Sequence, residues 1–175
     1  QINAMNIKII FILLAVTFVS SNAFCADTFK EPLDFRGIRF DSYYSVIKNI
    51  KHYSKVNEVI DIYVKDDEDL IIEHEPLDKI LYQTFRGRIY KITVKGSKCS
   101  WNRLYTLLKG KYGACQMHDE DFDNYSCIWN GKRIRIELTI DYETNFGSLV
   151  YTYNFTEKEY KRYEENKNKK KNDSF

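Results

Sequence analysis

The side chains in this 175-residue chain best suited to covalent or metal chemistry are four cysteines and three histidines. The cysteines are Cys25, Cys99, Cys115 and Cys127. None forms a C-x-x-C pair, so the spacing does not resemble a zinc site. Cys115 and Cys127 flank a polar, acidic stretch that includes His118, Asp119, Glu120, Asp121 and Asp123. Such a stretch buries little apolar surface, and a Cys115–Cys127 disulfide is expected at its base. In the chain-entropy model this closure contributes roughly 2–3 kcal/mol. Cys25 and Cys99 either pair with each other or leave Cys99 free. Cys99 also stands where a predicted helix begins, a position that favours a thiolate. To serve as a nucleophile it would need His52, His74 or His118 beside it, and no motif places one there.

The histidines have no motif around them. Asp119, Asp121 and Asp123 lack the Gly and the distal Glu of a calcium loop, so this segment is read as a solvated loop between strands. Asp66-Asp67-Glu68-Asp69 is read the same way. In an alternating strand Glu73 and Glu75 would face away from His74, which argues against a coordinated cluster. The chain has no G-x-S-x-G elbow, no phosphate loop and no dinucleotide fingerprint. With 25 acidic residues, no carboxylate pair stands out for glycoside cleavage. No catalytic residue, cofactor or metal ligand is therefore assigned, and a non-enzyme is expected.

Met5 opens a short polar region with one positive charge, Lys8. An apolar run from Ile9 to Val19 follows, then Ser20, Ser21, Asn22 and Ala23. A basic start, a short apolar core and a small-residue end describe a cleavable secretory signal peptide over residues 5–23. The apolar run is shorter than the roughly 20 residues a bilayer span needs. Cleavage is expected before Phe24. The bulky Phe24 ahead of Cys25 argues against a lipoprotein. Residues 1–4 are set aside as a scar or an upstream extension. The expected location is periplasmic or secreted, an oxidising place where an even cysteine count suggests disulfides. The mature chain, roughly 150 residues, is one domain able to bury a core. It has no second long apolar run, so no stable membrane span is expected after cleavage. Net charge is only +2. The lysines from Lys167 to Lys171 are read as a solvated tail, and an exported protein is not expected to bind nucleic acid.

These residues need elements to hold them. Tyr43, Val46, Ile47 and Ile50 recur at i, i+3, i+4 and i+7, which predicts a helix capped by Asp41 or Ser42. Val59–Val64 and Leu70–Glu75 read as a strand and its return. Lys79–Phe85 and Arg88–Val94 read as a hairpin turning at Arg86-Gly87, with Leu81, Phe85, Tyr90, Ile92 and Val94 on one face. Ser100 caps a second predicted helix, with the stripe Trp101, Leu104, Tyr105, Leu108 and Tyr112, stopped by Gly113. Asn130-Gly131 predicts a type I′ turn pairing Trp129 with Lys132, Cys127 with Ile134 and Tyr125 with Ile136. Ile134, Ile136, Leu138 and Ile140 alternate with Arg135, Glu137, Thr139 and Asp141. Leu149, Tyr151, Tyr153 and Phe155 continue the inward set. Thr156-Glu157-Lys158-Glu159 predicts a capping box, with Phe155 and Tyr160 as its staple. Residues 24–165 then form a single domain, and 166–175 a disordered lysine-rich tail. The fold class is α+β: an antiparallel sheet with helices packed on one face, the helix-plus-strands layout occurring twice.

With Phe85-Arg86-Gly87-Arg88-Ile89-Tyr90, Leu108-Lys109-Gly110-Lys111-Tyr112-Gly113 and Cys127-Ile128-Trp129 in view, residues Phe35 to Phe155 resemble small exported bacterial proteins of unknown function. The layout is also similar to that of β-lactamase-inhibitor-like folds. Both resemblances rest on turns and helix stops, and they imply an architecture and no functional residues. The expected function is a non-enzymatic binding module engaging a protein or envelope component through strand edges or loops. An envelope hydrolase, or a secreted inhibitor or effector, is the alternative.

Overall fold

The computed structural model describes residues 29–120 and 124–172. The predicted signal peptide, Cys25 and the Asp121–Asp123 part of the acidic segment lie outside the described residues.

In the long strands Lys79–Phe85, Arg88–Gly96, Asn124–Asn130, Ile134–Asp141 and Phe146–Tyr153 burial largely alternates from residue to residue. The strands are β1 (Asp34–Phe35), β2 (Ile38–Arg39), β3 (Ile50–Lys55), β4 (Ile60–Lys65), β5 (Ile71–Ile72), β6 (Glu75–Pro76), β7 (Lys79–Phe85), β8 (Arg88–Gly96), β9 (Met117–Glu120), β10 (Asn124–Asn130), β11 (Ile134–Asp141) and β12 (Phe146–Tyr153). The helices are α1 (Trp101–Tyr112) and α2 (Asn154–Asn172). Among the described residues the main sheet has eight strands in the order β3-β4-β7-β8-β12-β11-β10-β9. Every neighbouring pair is antiparallel. Two four-strand meanders therefore meet at the β8–β12 seam, and the α+β class with its antiparallel sheet is present.

The doubled layout is incomplete, because the first predicted helix does not form. Tyr44–Val46 is a single 3₁₀ turn and Ile50 already belongs to β3. The chain ahead of that turn is drawn into pairing beside β8. Asp41 N–H donates to the Ile89 carbonyl at 2.7 Å, Ile89 N–H to Ser42 at 2.9 Å, and Tyr44 N–H to Gly87 at 2.9 Å. Asn49 takes a left-handed conformation, φ 57°, that ends any helical path. Of the predicted stripe Tyr43, Val46, Ile47 and Ile50, Ile47 is buried, while Tyr43 and Val46 are 59% and 65% exposed.

The returning strand predicted at Leu70–Glu75 is instead a separate hairpin, β5–β6, with Glu73 and His74 at its tip, both at positive φ. The partners of β4 in the sheet are β3 and β7. The β7–β8 hairpin forms as predicted, with one shift in facing. Gln83 pairs with Lys91 and Thr84 with Ile89, which leaves Tyr90 as the extra residue of a β-bulge. The bulge turns Tyr90 away from Ile92. Tyr82 and Ile80 thus join Ile92 and Val94 in the main core, while Phe85 and Tyr90 belong to a second cluster on the reverse face.

Helix α1 follows its predicted stripe. Trp101, Leu104, Leu108 and Tyr112 are buried, and Gly113, at φ 87°, closes the helix by donating to the Lys109 carbonyl. The predicted Ser100 side-chain cap is absent. The buried Glu75 carboxylate instead accepts the Ser100 N–H at 2.8 Å, anchoring the start of the helix to β6. A Cβ on Gly147 would lie 2.3 Å from Trp101 Cε2, so this glycine lets the indole rest directly on β12.

The β10–β11 register differs from the predicted one by four residues. Trp129 pairs with Ile136, Cys127 with Leu138 and Tyr125 with Ile140. Gly131 is not in the positive-φ region a type I′ turn requires. The Glu31 carboxylate occupies the loop and accepts the backbone N–H groups of Lys132 and Arg133 at 2.5 and 3.0 Å. A slip of four, an even number, preserves every facing, so Ile134, Ile136, Leu138 and Ile140 are buried as predicted.

Helix α2 begins at Asn154, so Thr156 lies inside it and the capping box does not form. Thr156 Oγ1 donates to Asp41 Oδ1 at 2.8 Å instead, and Phe155 is 58% exposed. Where the sequence predicts a disordered tail from Asn166, α2 continues to Asn172. The helices do not share a face. Trp101, Leu104 and Leu108 of α1 pack into the main core, while Tyr160 and Tyr163 of α2 pack on Ile60, Phe85 and Tyr90 behind it. The Tyr90 bulge supplies the aromatic seat, and a strict two-residue alternation would have hidden it.

Candidate functional site

Cys115 and Cys127 meet at disulfide distance, with Cα atoms 5.8 Å apart. Cys127 is fully buried beneath the sheet–helix core, as its alternation required. Cys99 is a free, buried thiol. Burial first, then the Glu75 carboxylate, pushes its pKa up to about 11, the reverse of what a nucleophilic cysteine needs.

The histidines stay apart. His52, half exposed on β3, lies 3.1 Å from Asp61. His74 is at the β5–β6 tip, and His118 falls in β9 opposite Cys127. No group of three His, Cys, Asp or Glu side chains among the described residues could hold a metal ion. The acidic turn after β4 is partly structural. Glu68 accepts Arg36 at 2.8 Å and the Tyr82 hydroxyl at 2.5 Å. Burial and this carboxylate drive the Tyr82 phenol far above its ordinary range.

A cleft of about 480 Å³ opens between α1 and the β5–β6 hairpin. Its volume falls within the range of small-ligand pockets. Two of its polar groups, Arg36 and Asp34, are engaged within the chain, while Glu73 and Lys111 also line it. Arg36 also donates to the Asp69 and Ile71 carbonyls, and Asp34 accepts the Gly37 N–H at 2.9 Å. Tyr151 is buried, and desolvation together with Tyr112 raises its phenol well above the ordinary value. These contacts hold the N-terminal segment against the β5–β6 hairpin and the core.

The reverse face of the sheet differs. Register places Leu81 beside Thr93, Thr93 beside Val150, Val150 beside Glu137, and Glu137 beside Ile128. Val64, one residue beyond the Tyr63–Tyr82 pair, extends this row onto β4. From β7 to β10 the row runs about 19 Å at ~4.8 Å per strand. All of these side chains are half-buried, and none belongs to either core cluster. Arg135 Nη2 reaches Glu137 Oε2 at 2.8 Å, and Thr139 bonds Ser148 at 2.8 Å. Tyr53 and Phe146 stand exposed toward the margins, 51% and 37% accessible. The sequence showed the polar members of this face on β11. The apolar row appears only once five strands are in register, because each strand contributes one residue to it.

Comparison with protein-family models, with curated proteins and with solved structures finds no match. Among the described residues no helix is long and apolar enough to cross a membrane.

Proposed function

We propose that the mature chain is an exported, non-enzymatic binding module that docks a protein or envelope component on the open reverse face of its sheet. The observation that carries this reading is the cross-strand row Val64, Leu81, Thr93, Val150, Glu137 and Ile128, in which four apolar side chains line up with Thr93 and the Arg135-paired Glu137 on an antiparallel sheet. Apolar side chains aligned on an exposed face are a feature of interaction sites. The free sheet edge at β3 is a poorer docking point. It carries a bulge at Tyr53 and the lysines Lys51 and Lys55, devices that discourage strand addition. The Cys115–Cys127 pair supports the oxidising compartment that the signal peptide implies. A secreted inhibitor or effector would use the same face.

The test is affinity capture from envelope extract with the mature protein and with a Leu81→Thr, Val150→Thr double variant. Threonine is at home in a strand, matches the shape of Val150, and removes apolar surface at both positions. Partners retained by the wild type and lost by the folded variant are expected. Equal recovery by both, or co-purification of small molecules alone, overturns the proposal.

A further inference from the structure

Lys79 and Lys95 are directly paired across β7 and β8. Like charges in that position destabilise an antiparallel pair. Lys91 stands on the same face of β8, four residues from Lys95. Among the described residues no carboxylate lies within salt-bridge distance of these three lysines. Lys79 is held by an aromatic ring, its Nζ 3.0 Å from the Tyr53 hydroxyl and 4.3 Å from the ring centre. That hydrogen bond and the Lys79 charge, with a smaller contribution from Lys95, lower the Tyr53 phenol below its ordinary pKa. The two lysines and Tyr53 therefore share one electrostatic patch. Glu137, the carboxylate within the apolar row, is already matched by Arg135. The open face thus presents uncompensated positive charge beside apolar side chains, although the whole chain is nearly neutral at +2.

Resting on the reading of this face as a docking surface, we infer that its occupant is a protein surface that brings carboxylates together with apolar side chains. The carboxylates meet Lys79, Lys91 and Lys95, and the apolar groups lie along Leu81 and Val150. Charge complementarity of this kind sets orientation and speeds encounter. A pure polyanion would satisfy the lysines and leave the apolar row in water. A flat anionic membrane is blocked from the sheet by α2, which is seated on the same face at Phe85 and Tyr90. A helix raises a step of about 10 Å. The edge of a folded protein, or an extended segment, fits beside that step.

The experiment uses the mature protein and an array of short synthetic peptides in which glutamate count and apolar count vary independently. Glutamate homopolymer and phosphatidylglycerol vesicles serve as separate probes. Peptides rich in both residue classes are expected to bind best. A Lys79→Gln, Lys91→Gln, Lys95→Gln variant should weaken them about tenfold, with the loss shrinking as salt rises. Binding that ignores glutamate count, equal binding of the homopolymer or the vesicles, or an unaffected triple variant overturns the inference. Capture from envelope extract separates the two claims. A partner lost on Leu81→Thr, Val150→Thr but kept by the lysine variant leaves the docking face standing and removes the acidic partner. A partner kept by both variants removes the face itself.

Discussion

Ile136 and Thr139 lie three positions apart on β11 and face opposite ways. Ile136 is fully buried against the α1 side, while Thr139 lies on the reverse face and bonds Ser148. Replacing Ile136 by Ala should cost about 2–5 kcal/mol, the range for truncating a buried aliphatic side chain. Thr139→Ala should cost well under that, since its hydroxyl can be replaced by water. Chemical denaturation of both variants measures the difference, and equal losses would show that a second layer covers the reverse face. The facing of these residues was legible because alternation survives a register slip of four. The register itself was not legible. Asn130-Gly131 carries the usual signature of a tight turn, yet the carboxylate of Glu31, about a hundred residues earlier, decides the loop's shape. A Cβ on Gly131 would lie 2.5 Å from Glu31 Oε1, so this glycine answers a tertiary contact that no local window contains.

Helix α1 was legible from its stripe and its glycine stop, because both are local. Helix α2 was not, because its last turns are lysine-rich and their order depends on the β3–β4 hairpin. There Glu58 accepts the Tyr163 hydroxyl at 2.5 Å and Lys167 Nζ at 2.7 Å. Lys167 first, then Tyr163, holds the Glu58 carboxyl down at about 2 against an ordinary 4.5. A carboxyl whose folded pKa is lowered contributes fully above its unfolded value and loses that contribution as pH falls through the folded one. The far-UV helical signal should therefore decline between pH 4.5 and 2 as the end of α2 loosens. Glu58→Gln should lack that component of the titration, and an identical titration would show that the latch does not order the helix. The β9–β10 pair has its own fastening. Non-reducing peptide mapping of protein matured outside the cytoplasm should return a Cys115–Cys127 peptide, and reduction should lower stability by roughly 2–3 kcal/mol. Two free thiols there would reopen a metal or reactive-thiol role for the acidic loop.

At the scale of the molecule, the doubled order of strands was visible in sequence as two runs of alternating segments. Their joining was not. The two meanders meet through their last strands, β8 and β12, which are separated in the chain by α1, β9, β10 and β11. No local pattern announces which distant strands will pair. The seam has consequences for cooperativity. Tyr82, Ile92 and Val94 from the first meander share one core with Trp129, Leu149 and Tyr151 from the second. Helix α1 rests on both, since Trp101 lies against Gly147 of β12 and near Gly96 of β8. Neither meander can bury its apolar face without the other, so the chain should unfold as one unit. The two tryptophans, Trp101 and Trp129, lie in the second half of the chain, so their fluorescence reports that half. Far-UV circular dichroism reports the whole sheet. The two signals, followed through urea at constant pH with the disulfide intact, should give coincident midpoints and slopes. A fluorescence transition at lower urea than the dichroism transition would mean that the β9–β12 meander comes away while β3, β4, β7 and β8 stay folded. The open face would then be a junction between separable halves, and the row from Val64 to Ile128 would lose the rigidity that a preformed docking surface requires.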